Sequence, residues 1–417
     1  MTHSVFFRWY SNLFQKKLQR PFVHILFGAR QTGKSTLVNQ ALPKNALVVN
    51  LADPGERAQF SAHPEDFMKI CRGLPVKKER RTVFVDEAQA IPAIFDAVQA
   101  LYDSDKTRWR FILCGSSARK LRHTGANLLP GRSFFHRLYP LTMAEHPAPQ
   151  KNDASVDSPF PFNAKYDAVS KSFPAWDLLP RLAFGALPGI VAADEVDRED
   201  LLRSYVALHL EEEVRRETAI RDWGAFLRFI QLAATESGQI VNYSTISRDS
   251  GVSLPTVKSY YQLLEEMFVG FQIPAFSRSS RKNLLSTPRF YFFDVGVRNA
   301  AAGLKPSEQV VLANPGPLFE QWVGIEIWKR IQYMGGSKLF FLRSSDGAEI
   351  DFIIETQEKL IPIEVKWTER PATADARNLR NFIKEQGEKA PMGYIVCRCQ
   401  RPMLIEENIL ALPWHAL

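Results

Sequence analysis

The run VHILFGARQTGKSTLVNQAL, residues 23–42, passes from a short apolar strand through Gly28-Ala-Arg-Gln-Thr-Gly33-Lys34-Ser35 into helical spacing. This is the complete G-x-x-x-x-G-K-[ST] pattern in the strand-to-helix setting it requires. The glycines let backbone N–H groups wrap phosphates, and the helix start adds its positive end. Lys34 reaches the β and γ oxygens, and Ser35 ligates Mg²⁺. Gly28, Arg30, Gln31, Thr32, Gly33, Lys34, Ser35 and Thr36 are therefore the expected nucleotide-binding set, with ATP and Mg²⁺ as cofactors. The fold class that follows is an α/β domain built on a parallel sheet.

A second apolar run, Thr82-Val-Phe-Val-Asp86-Glu87, ends in two carboxylates. At the carboxyl edge of a neighbouring parallel strand, Asp86 would hold the magnesium ion and Glu87 would orient and polarise the attacking water. A third strand, 109–115, ends in Ser116-Ser117. The Ser116 hydroxyl is placed to sense the γ-phosphate, while Ser117 equally suits a helix N-cap before Ala-Arg-Lys-Leu. Arg119, Arg122 and above all Arg132 are candidates for stabilising transition-state charge, or else solvated. An arginine supplied across an interface would require a homo-oligomer.

At 417 residues the chain exceeds one ordinary core. Its +8 net charge is uneven: residues 1–146 hold 22 basic against 11 acidic side chains, and the rest is slightly acidic. The N-terminal part thus draws polyanions without selecting among them. Four cysteines make no disulfide or zinc framework, and no apolar run is long enough to span a bilayer. The expectation is a cytoplasmic protein with no membrane partner.

ILFGARQTGKST, FVDEAQAIP, ILCGSSARKL and LYPLTMAE together resemble the prokaryotic AAA-type ATPases of the archaeal-ATPase group, over residues 1–146. The resemblance implies an ATPase with a five-stranded parallel core.

Residues 147–176, rich in Pro, Ser, Asp and Lys, read as a linker or insertion, and 177–304 as a helical and winged-helix domain. YSTISRDS, Gly251-Val-Ser and LPTVKSYYQLLEEMF read as helix, tight turn, helix, with Ile246, Val252, Leu254, Val257, Tyr260 and Leu264 as core. The following segment reads as a β-wing carrying Arg278, Arg281, Lys282 and Arg289. On DNA, the helix containing Lys258 would enter the major groove while the wing touches phosphates. A packing module that never meets nucleic acid is the alternative.

Residues 305–417 form the third domain. GPLFEQWVGIEIWKRI is an amphipathic helix with Leu318, Trp322, Ile325 and Trp328 toward the core and Glu320 on a flank. LFFLRSSDGAEIDFIIE is a pair of strands, and KLIPIEVKW supplies a third. Asp351 and Glu364 would then sit side by side on neighbouring strands, with Lys366 on the face of Glu364. Carboxylates holding Mg²⁺ beside a lysine suit phosphodiester hydrolysis. This set resembles the PD-(D/E)xK nuclease core, with Ile350-Asp351 in place of Pro-Asp. The resemblance implies roles for Glu320, Asp351, Glu364 and Lys366. Two readings stay open: an ATP-dependent enzyme acting on nucleic acid, and a nucleotide-switched regulatory ATPase whose nuclease fold is silent.

Overall fold

The computed structural model describes residues 6–77, 79–117, 130–145, 178–210, 214–215, 220, 222–277, 286–343 and 347–417. The chain divides into two compact units: Met1–Pro140 with Glu213–Ala219 and Gln262–Val269, and the remainder.

The first unit is built on five parallel strands in the order β2-β3-β4-β1-β5. These are β1 (Val23–Phe27), β2 (Leu47–Asn50), β3 (Arg81–Asp86), β4 (Trp109–Gly115) and β5 (Ser133–Arg137). The helices are α1 (Tyr10–Leu18), α2 (Lys34–Ala41), α3 (Pro54–Ala62), α4 (Glu65–Gly73) and α5 (Ala93–Ser104). A parallel sheet covered on both faces requires unbroken apolar strands in its centre, and β1 is buried at every position. Val23, Ile25, Val83, Val85, Phe111 and Leu113 form one core with Phe67 of α4 and Phe95 and Val98 of α5. The edge strands β2 and β5 are mostly partly or fully exposed, with one buried residue each.

The registers decide where the chemistry falls. Phe27 pairs with Gly115, Phe27 also with Arg137, and Asn50 with Asp86. Gly28, Ser116 and the Asp86-Glu87 pair therefore emerge at one carboxyl edge of adjacent strands, where open α/β sheets bind ligands.

Further along the chain, α6 is Trp223–Thr235, α7 Tyr243–Ser250 and α8 Leu254–Glu266, with β6 (Gly270–Ile273) antiparallel to β7 (Arg289–Phe292). Asp222 and Asn242 cap α6 and α7 through the amides of Ala225 and Thr245, and left-handed Gly251 ends α7. Ile246, Val257 and Leu264 are fully buried as expected, but Leu254 is exposed. As the first residue of α8 it lies outside the stripe that the later turns bury.

A six-stranded mixed sheet follows, in the order β12-β13-β11-β10-β9-β8. Its strands are β8 (Lys338–Arg343), β9 (Glu349–Glu355), β10 (Leu360–Val365), β11 (Gly393–Cys397), β12 (Met403–Glu406) and β13 (Ile409–Pro413). The helices α9 (Pro315–Met334) and α10 (Arg377–Gln386) flank it. Gly324 lets α9 press onto β9: a Cβ there would meet the Phe352 ring at 2.5 Å. Leu379 and Phe382 of α10 pack with Ile353, Ile395 and Ala411.

Candidate nucleotide site and acidic cluster

Gly28 follows β1 so closely against the end of β5 that a Cβ would stand 2.2 Å from the Leu138 carbonyl oxygen. The chain can turn here only without a side chain. The loop then closes on itself. Thr32 Oγ1 donates to the Ala29 carbonyl at 2.9 Å, and buried Lys34 places its Nζ 2.8 Å from the Gly28 carbonyl and 2.9 Å from that of Ala29. Lys34 is the first residue of α2, with Gly33 left-handed before it. Gln31, at φ 60°, and Thr36 lie exposed, Ser35 half-buried.

The Ser35 hydroxyl lies near enough to the Asp86 carboxylate to favour its charged form. Burial pushes the Asp86 carboxyl up, against the lowering effect of the nearby Ser35 hydroxyl. Glu87, in the left-handed region at φ 53°, is held by Gln89, whose Nε2 donates to its Oε2 at 2.5 Å and contacts Ser116 Oγ at 3.0 Å. Ser116 in turn lies 3.4 Å from the same carboxylate oxygen. Glu87, Gln89 and Ser116 thus form a hydrogen-bonded set next to Asp86. Sequence reasoning assigned no role to Gln89, although its place two residues after Glu87 was a usable signal.

Arg132 lies away from the phosphate loop of its own chain. Its carbonyl accepts from Val23 N–H at the opening of β1 and its Nε binds Asp103 at 2.7 Å, so it stands at the amino end of the sheet. Arg119 and Arg122 lie outside the described residues.

The second constellation lies where β9 pairs antiparallel with β10. Phe352 is opposite Ile363, and one step further along this register sets Asp351 opposite Glu364. Asp351 accepts from Val365 N–H at 2.8 Å, and Lys366 Nζ donates to Glu364 Oε2 at 2.9 Å. Glu364 is 2% exposed and its other oxygen, Oε1, has no hydrogen-bond partner. Burial, then the adjacent Asp351, pushes the Glu364 carboxyl up to about 8. Glu320, from α9, is likewise raised to about 8, by burial and then by Asp351. Burial draws the Lys366 ammonium down, but Glu364 and Asp351 outweigh it and hold it above its ordinary value.

Arg289 joins this cluster instead of lying on a basic wing. Its side chain is 6% exposed, donates to Glu320 at 2.8 Å and to Glu349, and lies over the Phe341 ring. The expectation that it contacts nucleic acid is overturned: β7 pairs with Ile273 through Arg289 and turns it inward. Arg278, Arg281 and Lys282 lie outside the described residues. Lys258 is exposed on α8, its ammonium 5.4 Å from the Tyr243 ring.

Among the described residues no group of three or more His, Cys, Asp or Glu is arranged to hold a metal ion. The reason is visible in Glu320, which gives an oxygen to Arg289. Asp351 and Glu364, oxygen donors with one orphaned buried oxygen between them, still fit a hard cation chemically.

Three regions of the chain match family models. Residues 20–146 match the AAA domain, residues 176–308 a domain of unknown function (DUF8612), and residues 315–417 another domain of unknown function (DUF4143). The N-terminal region is thus an AAA-type domain of an ATPase family, its parallel sheet of the kind such domains use; the rest of the chain is helical and mixed-sheet. An uncharacterized protein of Haemophilus influenzae is 25% identical over 88% of this chain and 88% of its own. An uncharacterized protein of Mycobacterium tuberculosis is 22% identical over 88% of this chain and 75% of its own. Among solved structures, a Signal Transduction ATPase with Numerous Domains protein with a tetratricopeptide repeat sensor from Pyrococcus horikoshii covers 80% of this chain and 48% of that one, at 12% identity and a TM-score of 0.24. That value is too low to bear on the fold. No described helix is long and apolar enough to cross a membrane.

Proposed function

We propose that this chain binds and hydrolyses ATP in its N-terminal domain, and that its C-terminal domain is a Mg²⁺-dependent, nuclease-like module acting on nucleic acid, DNA in the first instance. The observation that carries the first half is the convergence of the phosphate loop that follows β1, with Lys34 folded into it, and Asp86-Glu87 at the end of β3 on one carboxyl edge of the sheet. Magnesium would be held by Ser35 and Asp86, with the γ-phosphate neutralised by Lys34. Glu87, fixed by Gln89 and Ser116, is the base that orients water. Gly28 to Thr36 line the nucleotide, and any arginine finger must come from elsewhere than Arg132 of the same chain.

For the second half, support comes from Asp351 and Glu364 facing one another across paired strands, with Lys366 beside them. A divalent cation there would supply Lewis acidity and a lowered water pKa. Lys366 is placed to offset charge on a phosphoryl oxygen. The α7–turn–α8 unit with the β6–β7 pair is read as a winged helix that presents Lys258 to a nucleic-acid backbone.

One observation favours a second reading, a nucleotide-switched regulatory ATPase whose nuclease fold is silent. Arg289 already occupies Glu320 and Glu349 with a fixed positive charge. Phosphate release from ATP, compared between wild type and Lys34→Ala, tests the ATPase. Mg²⁺-dependent cleavage of linear, nicked and single-stranded DNA, lost in Lys366→Ala while ATP turnover persists, separates the two readings. Absence of cleavage under all conditions, with ATP turnover intact, selects the regulatory one.

A further inference from the structure

Arg8 stands outside the region that matches the AAA domain, yet its guanidinium touches the phosphate loop. Nη1 donates to the Thr32 carbonyl at 2.5 Å and Nη2 to the Tyr139 carbonyl at 2.6 Å, and the side chain is buried, 5% exposed. A Cβ on Gly33 would lie 3.4 Å from Nη1, so the guanidinium lies directly behind the Thr32–Gly33 peptide. Two residues on begins α1, which is fastened to the sheet: Tyr10 Oη bonds His136 Nδ1 at 2.7 Å, and Phe14 packs edge-on against the same imidazole.

A trans peptide points its carbonyl and its N–H in opposite directions. Holding the Thr32 carbonyl against Arg8 therefore turns the Gly33 N–H to the opposite side of that peptide plane. The N–H groups of this loop are what receive phosphate oxygens. The second donor, on Tyr139, anchors the same guanidinium just beyond β5, so the loop is referenced to the sheet and not to a mobile side chain. A positive charge behind the loop also adds to the field that an anionic ligand meets.

We propose that Arg8 is a positioning residue for the nucleotide: it pins the Thr32–Gly33 peptide in the orientation that binds the phosphates of ATP and ADP. The proposal rests on the reading of Gly28–Ser35 as a phosphate site. It assigns Arg8 an effect on nucleotide affinity and not on the chemical step, because Lys34, Asp86 and Glu87 are untouched by it.

The test uses the full chain as wild type, Arg8→Ala, Arg8→Lys and Lys34→Ala. It measures ADP affinity by calorimetry, KM and kcat for ATP, and the urea midpoint with and without ADP. Arg8→Ala is expected to raise the ADP Kd and the ATP KM about tenfold, the effect of one charge-assisted hydrogen bond, while kcat holds. Arg8→Lys is expected to recover part of the affinity, since an ammonium reaches one carbonyl and not two in a fixed fork. A residue that only fastens α1 would lower the ligand-free midpoint and leave Kd and KM at wild-type values; that outcome overturns the proposal. If Arg8→Ala does not fold, wild-type nucleotide affinity in Arg8→Lys overturns it equally. Nucleotide binding that Lys34→Ala abolishes and neither Arg8 variant weakens sinks this inference alone, whereas a wild type that binds no nucleotide sinks the phosphate-site reading with it.

Discussion

Arg289, in β7, and Glu320, in α9, form an ion pair at 2.8 Å whose arginine side chain is 6% exposed. Glu349 completes the grip on the other guanidinium nitrogen. Four carboxylates, Glu320, Glu349, Asp351 and Glu364, thus share two cations, Arg289 and Lys366.

Removing the fixed charge at Arg289 should therefore strengthen cation binding. Glu349→Gln loosens the clamp without touching Asp351 or Glu364, and Arg289→Gln removes it. Mn²⁺ affinity by calorimetry is expected to rise about tenfold in Arg289→Gln, which is a conservative outcome for one unit charge a few ångströms away at an effective dielectric near 20. Stability falls at the same time, because Glu320 loses its buried partner. An unchanged Mn²⁺ affinity in both variants would mean that the ion pair has no bearing on the cation.

Glu87→Gln keeps the shape of the side chain but cannot accept a proton. ATP turnover should drop by about a hundredfold or more, the usual contribution of a positioned base, while ADP affinity is retained. Gln89→Ala should act in the same direction and more weakly, because it removes the 2.5 Å contact that orients Glu87. Single-turnover phosphate release checks both.

The paired imidazoles of His24 and His136, 3.0 Å apart and buried, make stability depend on pH. Burial lowers His24 to about 4 and His136 to about 2. In the unfolded chain both titrate near the ordinary value, so below about pH 6.5 the unfolded state binds protons that the folded state refuses. Stability is complete above that pH and declines as pH falls toward 4, by up to about 1.4 kcal/mol per pH unit for each histidine. Urea midpoints between pH 7 and 5 should fall less steeply in His24→Gln than in wild type. Equal slopes would remove the imidazole pair from the account.

Gly324→Ala sets two effects against each other. Helix propensity favours alanine by about 1 kcal/mol. Against this, the new Cβ would lie 2.5 Å from the Phe352 ring, and overpacking of this kind costs about 1–3 kcal/mol. The second effect is the larger, so the variant should be less stable than wild type in urea. A gain in stability would show that α9 moves off β9 freely.

What was legible in the chain was what depends on local spacing. The phosphate loop declares itself because strand, glycines, lysine and helix follow one another within residues 23–42. Asp351 and Glu364 could be paired because side chains alternate along a strand, so two apolar-flanked acids face the same way. Arg289 was misplaced because its basic neighbours in sequence suggested a wing. Its true direction is set by pairing with Ile273 and by acids that are 31 and 60 residues further along the chain. Arg132 could not be placed for a related reason. Pro-Gly-Arg marks a loop, but only the start of β5 at Ser133 says at which end of the sheet that loop lies. Arg8 was invisible because a backbone carbonyl has no sequence signature.

The position of β10 in its sheet has a further consequence. It is bonded on both sides, antiparallel to β9 and parallel to β11, and its last residue donates to Asp351. Amide protons in such an interior strand exchange with solvent only when the sheet opens as a whole, whereas β12, with Leu404 65% exposed at the margin, can fray alone. Deuterium would therefore enter the Met403–Glu406 margin long before it reaches Ile363 to Val365, and the acidic cluster inherits the endurance of the entire sheet.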